Sequence, residues 1–392
     1  MSNFDMIKDR DQEYVCHSYG RFPVAIEKGK NAVCYDFDGN KYIDMTSGIG
    51  VNSLGFCDEG WIAAVTAQLT KLQHISNLYY TDPCSKLAEM LCKRTGMKKV
   101  FFANGGAEAN EGAIKAARKY SFIKYGAGRS KILTLENSFH GRTVTTLAAT
   151  GQDVFHNYFF PFTEGFEFIP AGNIETLKAN SDGVCAVMIE LIQGEGGVLP
   201  VDKKYVSEAA KFCLDNDILL IVDEVQTGVG RTGSLYCFQQ YGIMPDIVTS
   251  AKGIGGGLPL AAVLFGEKTA DIFNPGDHAT TFGGNPVACA GAVEIIGRMD
   301  DAFLAEVVKK GEYIREKILK MPHVKGVAGM GMMFGIELED GIKSADIVKA
   351  GLKNGVLLLT AKAKVRLLPP LTITYDEIDT ALDALAKTLA EA

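Results

Sequence analysis

From Ile43 to about residue 290, short apolar runs alternate with longer helical patterns, the signature of a mainly parallel α/β sheet. The clearest strands expected from this pattern are Val100–Ala103, Lys131–Leu135, Cys185–Ile189, Ile218–Val222, Ile247–Thr249 and Ala261–Phe265. Ahead of them, apolar positions alternate around Asp38-Gly39 between Tyr35 and Ile43, which predicts a hairpin turning on that pair. After residue 290 the pattern changes. A long helix is expected from Pro286 to beyond Arg298, then strands over Val324–Met330 and Met333–Glu337, then terminal helices. That reads as a smaller α+β domain. With 392 residues the chain exceeds the size at which a single core keeps growing, so a large and a small domain are expected. The division read from the sequence is 56–295 for the large domain and 296–392 for the small one, with 1–55 joining the small one.

The polar and glycine-rich segments follow directly on the strands. Val100–Ala103 leads into Asn-Gly-Gly-Ala-Glu-Ala-Asn, and Lys131–Leu135 into Glu-Asn-Ser-Phe-His-Gly-Arg. Cys185–Ile189 is followed by Glu190 and Gln193-Gly-Glu-Gly, Ile218–Val222 by Asp223-Glu224, and Ile247–Thr249 by Ser250-Ala251-Lys252. Ligands of open parallel sheets bind outside the carboxyl ends of the strands, so five separate segments converge on one edge.

Composition narrows the function classes. Hydrophobic residues make up 47 % and charged residues 22 %, as in a soluble globular protein. A net charge of −7 repels nucleic acid and anionic membranes. No apolar run is long enough for a membrane span, and the polar N-terminus is unlike a signal peptide. The nine scattered cysteines form neither a Cys-x-x-Cys pair nor a Cys/His cluster at zinc spacing, so no metal site is expected and a reducing cytoplasm is.

The strand-end segments carry the chemistry. Asn104-Gly-Gly-Ala107 lies between a strand and a helix, where glycines let an anion approach free N–H groups, although an ordinary strand-to-helix turn looks the same. It lacks the Gly-Lys-Ser/Thr ending of a nucleotide loop, and Gly253, Gly255, Gly256 and Gly257 do not match a dinucleotide motif. Asp223, at the mouth of a buried strand, needs a cationic partner or strong donors. A protonated pyridine nitrogen is one such partner, and a helix cap or internal salt bridge is another. Lys252 follows a buried strand and precedes four glycines. A lysine desolvated there can lose its proton and then form an imine, the other reading being a surface lysine in a flexible loop. Phe139 can stack on a flat ring and Arg142 can grip a carboxylate with two parallel bonds, the commoner fates being core and surface charge, while His140 reads as structural or as packing near the ring.

Taken together, these segments resemble the class III, ornithine-type family of pyridoxal-phosphate aminotransferases, of the fold-type I architecture. The resemblance runs from about Arg21 to Pro370 and rests on six blocks in order. They are Phe-Phe-Ala-Asn-Gly-Gly-Ala-Glu-Ala-Asn-Glu (101–111), Ser-Phe-His-Gly-Arg-Thr (138–143), Gln-Gly-Glu-Gly-Gly (193–197), Asp-Glu-Val-Gln-Thr-Gly (223–228), Ser-Ala-Lys-Gly (250–253) and Thr-Phe-Gly-Gly-Asn-Pro (281–286). The resemblance implies that Lys252 forms a Schiff base with pyridoxal 5'-phosphate and that Asp223 binds the pyridine nitrogen. It implies further that Phe139 and Val225 sandwich the ring and that Gln226 approaches its phenolic oxygen. Gly106 and Ala107 are implied to offer backbone N–H groups to the phosphate, and Thr281 to reach the phosphate of the neighbouring subunit, which makes a homodimer. One departure stands out. The family usually has Asn-Ser-Gly-Thr or Asn-Ser-Gly-Ala where this chain has Asn104-Gly105-Gly106-Ala107, so the phosphate is left to backbone amides and Thr281.

Within the family, Thr46–Gly55 and His74–Tyr80 look most like the branch acting on N2-acetylornithine, with 2-oxoglutarate as acceptor. Ornithine aminotransferases carry a tyrosine where this chain has Gly48, and a glycine leaves room for an acylated amine. The resemblance further implies that Arg142 clamps the remote carboxylate of both substrates, that Arg366 binds the α-carboxylate of 2-oxoglutarate, and that Glu195 covers Arg366 in the other half-reaction. Succinylornithine, ornithine or 4-aminobutyrate as donor, an aminomutase, and a non-catalytic homologue are the alternatives.

Overall fold

The computed structural model describes residues 2–392. Its centre is a seven-stranded sheet in the order Lys99–Ala103, Ala261–Phe265, Ile247–Ser250, Leu219–Asp223, Val184–Ile189, Lys131–Leu135, Phe166–Ile169. Every neighbouring pair is parallel except the two made by Ala261–Phe265, which runs against both of its neighbours. The sheet is therefore mixed and mainly parallel, as the alternation of apolar runs and helices requires.

The central strands are apolar along their whole length because both faces are covered. Leu219 and Ile221 point into one core with Ala109, Ala113, Ala116 and Ala117 of the helix Gly106–Tyr125. Leu220 and Val222, one residue out of phase, point into the other core with Val187, Val248 and Leu264. The alanine stripe lets the long helix sit close to the sheet. Its first turn therefore lies directly beyond the strand Lys99–Ala103, where a ligand can reach its free N–H groups.

The helix starting at Pro286 stops at Arg298 rather than running on. Asp300 accepts a hydrogen bond from Phe303 N and caps a separate helix, Asp301–Ile318, so the expected single helix is two. The C-terminal part has an antiparallel sheet in the order Val324–Met330, Met333–Leu338, Lys364–Leu367, Leu359–Ala361. The N-terminal hairpin, Val33–Asp36 with Lys41–Asp44, pairs through Ile43 with Val356 in parallel register. The beginning of the chain is thus hydrogen-bonded to its last third. No helix among the described residues is long and apolar enough to cross a membrane.

Candidate active site

A cavity of about 460 Å³ opens at the carboxyl ends of the parallel strands. All five strand-end segments reach it, through Asn104–Ala107, Phe139–Arg142, Glu190 and Glu195, Asp223, and Lys252. Val51 and Gly257–Leu260 close its rim.

Asp223 ends its strand with a side chain only 3 % exposed. Its Oδ2 accepts hydrogen bonds from His140 Nδ1 at 2.9 Å and Asn110 Nδ2 at 2.8 Å, and its Oδ1 accepts from Val225 N at 3.0 Å. Three donors compensate the burial of a carboxylate that still borders the cavity. His140 is itself buried, and the pairing puts its proton on Nδ1. Its Nε2 and the Oδ1 of Asn110 are left without hydrogen-bond partners among the described residues.

Lys252 follows Ala251 in a left-handed conformation (φ 49°), which non-glycine residues rarely adopt. Burial pushes its ammonium below the usual lysine range, with the negative charge of Glu195 opposing that shift. A shift in that direction favours the neutral, nucleophilic amine over the ammonium.

At the other wall, Arg366 is 3 % exposed and meets Glu195 through Nη1 at 2.5 Å and Nη2 at 3.3 Å. Gln226 joins the pair, its Oε1 accepting from Arg366 Nη1 at 3.2 Å and its Nε2 donating to Glu195 Oε1 at 3.4 Å. Burial raises the Glu195 carboxyl, but the charge and hydrogen bonds of Arg366 outweigh it and leave the group below its usual value. Arg142 lines the same cavity with no carboxylate partner among the described residues. Its guanidinium lies 4.1 Å from the Phe155 ring and 5.6 Å from Phe139.

The phosphate-sized end of the cavity is made by Gly105, Gly106 and Ala107. A side chain at Gly106 would meet Val225 Cγ1 at 2.7 Å, so the loop needs glycine there. Gly105 precedes the helix with no side-chain cap, which leaves N–H groups of the first turn free to bind an anion.

Of the residues singled out from the sequence, Lys252, Asp223, Gly106, Ala107, Phe139, Val225, Gln226, Arg142 and Glu195 line this cavity. Arg366 touches it through Glu195 and Gln226. Gly48 stands behind the rim, where a Cβ on it would lie 3.9 Å from that of Val51. Thr281 lies elsewhere, exposed beside Asn77, Tyr80 and Gly284 in a second depression. Sequence reasoning left Asn110 out and read His140 as structural, and it gave Glu190 no role. For Asn110 the signal was a polar residue set into the alanine stripe, four positions after Gly106. For Glu190 it was a carboxylate directly after a fully apolar strand.

A family model described as aminotransferase class-III matches residues 14–389. The acetylornithine aminotransferase of Haemophilus ducreyi is 51 % identical over 389 residues, covering 99 % of each chain. Among solved structures, the ornithine aminotransferase of Toxoplasma gondii superposes with a TM-score of 0.95 at 33 % identity, covering 100 % of this chain and 96 % of its own. The N-acetylornithine aminotransferase of Stenotrophomonas maltophilia gives 0.84 at 33 % identity, covering 98 % of each.

Proposed function

The chain belongs to the class-III aminotransferases, and from that membership we propose that it moves the δ-amino group of N2-acetyl-L-ornithine to 2-oxoglutarate, giving N-acetyl-L-glutamate 5-semialdehyde and L-glutamate, a step of arginine biosynthesis. The class uses pyridoxal 5'-phosphate, which when bound supplies the electron sink for removing a proton from the substrate carbon. The residues fit that group. Asp223 is a buried, fully hydrogen-bonded carboxylate suited to a pyridinium, and Lys252 is a desolvated amine suited to anchor it. Free N–H groups of the glycine loop suit a phosphate.

The observation that carries the substrate reading is the buried Arg366–Glu195 pair. An aminotransferase that takes a terminal amine and passes it to a 2-oxo acid must admit in turn a donor with no carboxylate beside the reacting carbon and an acceptor that has one. Glu195 neutralises Arg366 while the donor is bound and releases it to the α-carboxylate of 2-oxoglutarate. Arg142, free of an acid partner, holds the remote carboxylate that both substrates carry. Lys252, the desolvated amine of the cavity, would be the group that takes up the proton of the substrate carbon. Phe139 and Val225, which both line the cavity, would flank the ring and exclude water from it. Gln226, which lines the cavity and donates to Glu195, would be the amide available to the ring's phenolic oxygen. Gly48 leaves the space that an acyl group needs.

We take the protein to be a homodimer in the cytoplasm. Thr281 supports the first point, because it is exposed and does not line its own cavity, which suits the phosphate end of a second copy. The nine free cysteines suit the second. The division at residues 55 and 295 belongs to the same reading, the N-terminal hairpin moving with the C-terminal sheet.

The test compares kcat/KM for N-acetylornithine, N-succinylornithine, ornithine and 4-aminobutyrate with 2-oxoglutarate as acceptor. N-acetylornithine is expected to lead. A higher value for ornithine or 4-aminobutyrate overturns the donor assignment and leaves the aminotransferase class intact.

A further inference from the structure

Glu190 directly follows the central strand Val184–Ile189, borders the cavity and is 6 % exposed, yet it has no task in the reaction described above. Its two oxygens are spent on two main-chain amides from different loops. Oε2 accepts from Phe139 N at 2.9 Å, and Oε1 accepts from Gly194 N at 3.2 Å. Phe139 is the ring-facing aromatic. Gly194 is the neighbour of Glu195, and its main chain packs flat against the Gln226 amide, where a Cβ would lie 2.3 Å from Oε1. Gln226 in turn bonds both Glu195 and Arg366.

We propose that Glu190 is a positioning residue whose carboxylate pins Phe139 and Gly194 at once, holding the cofactor-stacking face and the Arg366–Glu195 gate in a fixed relation. The inference rests on the cofactor and gate roles proposed above. It needs both oxygens to be acceptors. A protonated carboxyl carries its proton on one of them, which loses its negative charge and becomes the weaker acceptor, its O–H competing for the space of the amide N–H. Either Phe139 or Gly194 loses its anchor.

That requirement brings in pH. Burial raises the Glu190 carboxyl to about 7, the charge of His140 opposing and that of Asp223 reinforcing the shift. Lys252 is the other charged group close enough to be felt. The clamp is therefore complete above pH 7 and fails on one side as the pH falls through that value. Loosening the Gly194 side lets Glu195 and Gln226 drift, so the 2-oxo acid meets a poorly set Arg366.

The experiment uses the cofactor-loaded enzyme. In the wild type, kcat/KM for 2-oxoglutarate is expected to fall as pH drops through about 7, together with a change in the visible circular dichroism of the bound cofactor. Glu190→Gln keeps the shape but turns one acceptor into a donor. It is expected to lower kcat/KM for 2-oxoglutarate roughly 10-fold, the size of a lost hydrogen bond to a charged group, and to abolish the pH limb while His140, Asp223 and Lys252 remain. Should that variant fail to fold, Glu190→Asp serves instead. One methylene shorter, its carboxylate reaches only one of the two amides, and KM for the 2-oxo acid is expected to rise more than KM for the amino donor. Persistence of the limb in Glu190→Gln, or unchanged KM and dichroism in either variant, overturns the inference. A wild-type protein with no cofactor band at all would instead refute the reading on which it rests.

Discussion

The Nδ1 nitrogen of His140 lies 2.9 Å from Oδ2 of Asp223, and Asn110 Nδ2 reaches the same oxygen at 2.8 Å. One donor comes from the second turn of the helix Gly106–Tyr125 and the other from the loop after Lys131–Leu135, and together they hold the buried carboxylate at the cavity wall. Removing one takes a hydrogen bond from a buried charge, a loss of about 1.5–3 kcal/mol. His140→Ala and Asn110→Ala are each expected to weaken cofactor binding by roughly 10-fold or more. Cofactor titration followed by absorbance checks this, and unchanged affinity in both variants would mean that Asp223 does not meet the cofactor.

Lys252→Ala is expected to remove the visible absorption of the anchored cofactor and essentially all turnover. Lys252 also weighs on the stability of the cofactor-free protein. Burial lowers its pKa when folded, whereas the unfolded chain titrates near 10.5, so the unfolded state binds more protons between those values. The cost of burying the lysine is therefore full at low pH, shrinks as pH rises above the folded pKa, and vanishes above about 10.5. Lys252→Met should accordingly raise the melting temperature of the cofactor-free protein at pH 7, with a smaller gain at pH 10. An equal gain at both values would show that the lysine's charge is not the cause.

The parts of this molecule that the chain spells out locally were legible in its sequence. The apolar run Ala261–Phe265 is a strand with those bounds, but its reversed direction is not encoded in the pattern of apolar residues. Phe166–Ile169 is not legible because it is a four-residue edge strand in which only Ile169 is fully buried. The break at Met299–Asp300 rests on one capping hydrogen bond, which periodicity does not register. In the cavity, strand-end acids and the lysine stand out because each follows an apolar run. The contacts of Asp223 do not, because Asn110 and His140 lie 113 and 83 residues away from it. Their meeting depends on strand order.

The anion end of the cavity can be strengthened. Gly105 has an extended backbone (φ −143°), and a Cβ placed on it meets nothing within 4 Å, whereas Gly106 is blocked by Val225. Gly105→Ser should fit, add a hydroxyl next to the phosphate and tighten cofactor binding by roughly 10-fold. Gly106→Ala should loosen it. Serine at that position can also cap the helix, which would raise the melting temperature of the cofactor-free protein without changing affinity. Measuring the cofactor Kd and the cofactor-free melting temperature in parallel separates the two effects. A gain in melting temperature alone would mean that the phosphate does not sit at this loop.

The two arginines should divide the substrates between them. Arg142 has no acid partner and is proposed to hold a carboxylate common to both half-reactions, so Arg142→Ala should raise KM for N-acetylornithine and for 2-oxoglutarate alike. Arg366 is covered by Glu195, its Nη1 2.5 Å from Oε1, and is proposed to act only when that cover lifts. Arg366→Ala should therefore impair the 2-oxoglutarate half-reaction by roughly 10-fold or more and leave the rate with the amino donor within about twofold. Glu195→Gln separates the gate from the clamp. With the cover weakened, Arg366 is exposed throughout, so KM for 2-oxoglutarate should fall while discrimination against donors bearing an α-carboxylate beside the reacting amine is lost. Single-turnover kinetics of each half-reaction, followed by the cofactor's absorbance, resolves these effects. An Arg366→Ala variant that slows both halves equally would put Arg366 in a structural role and remove the gate from the mechanism.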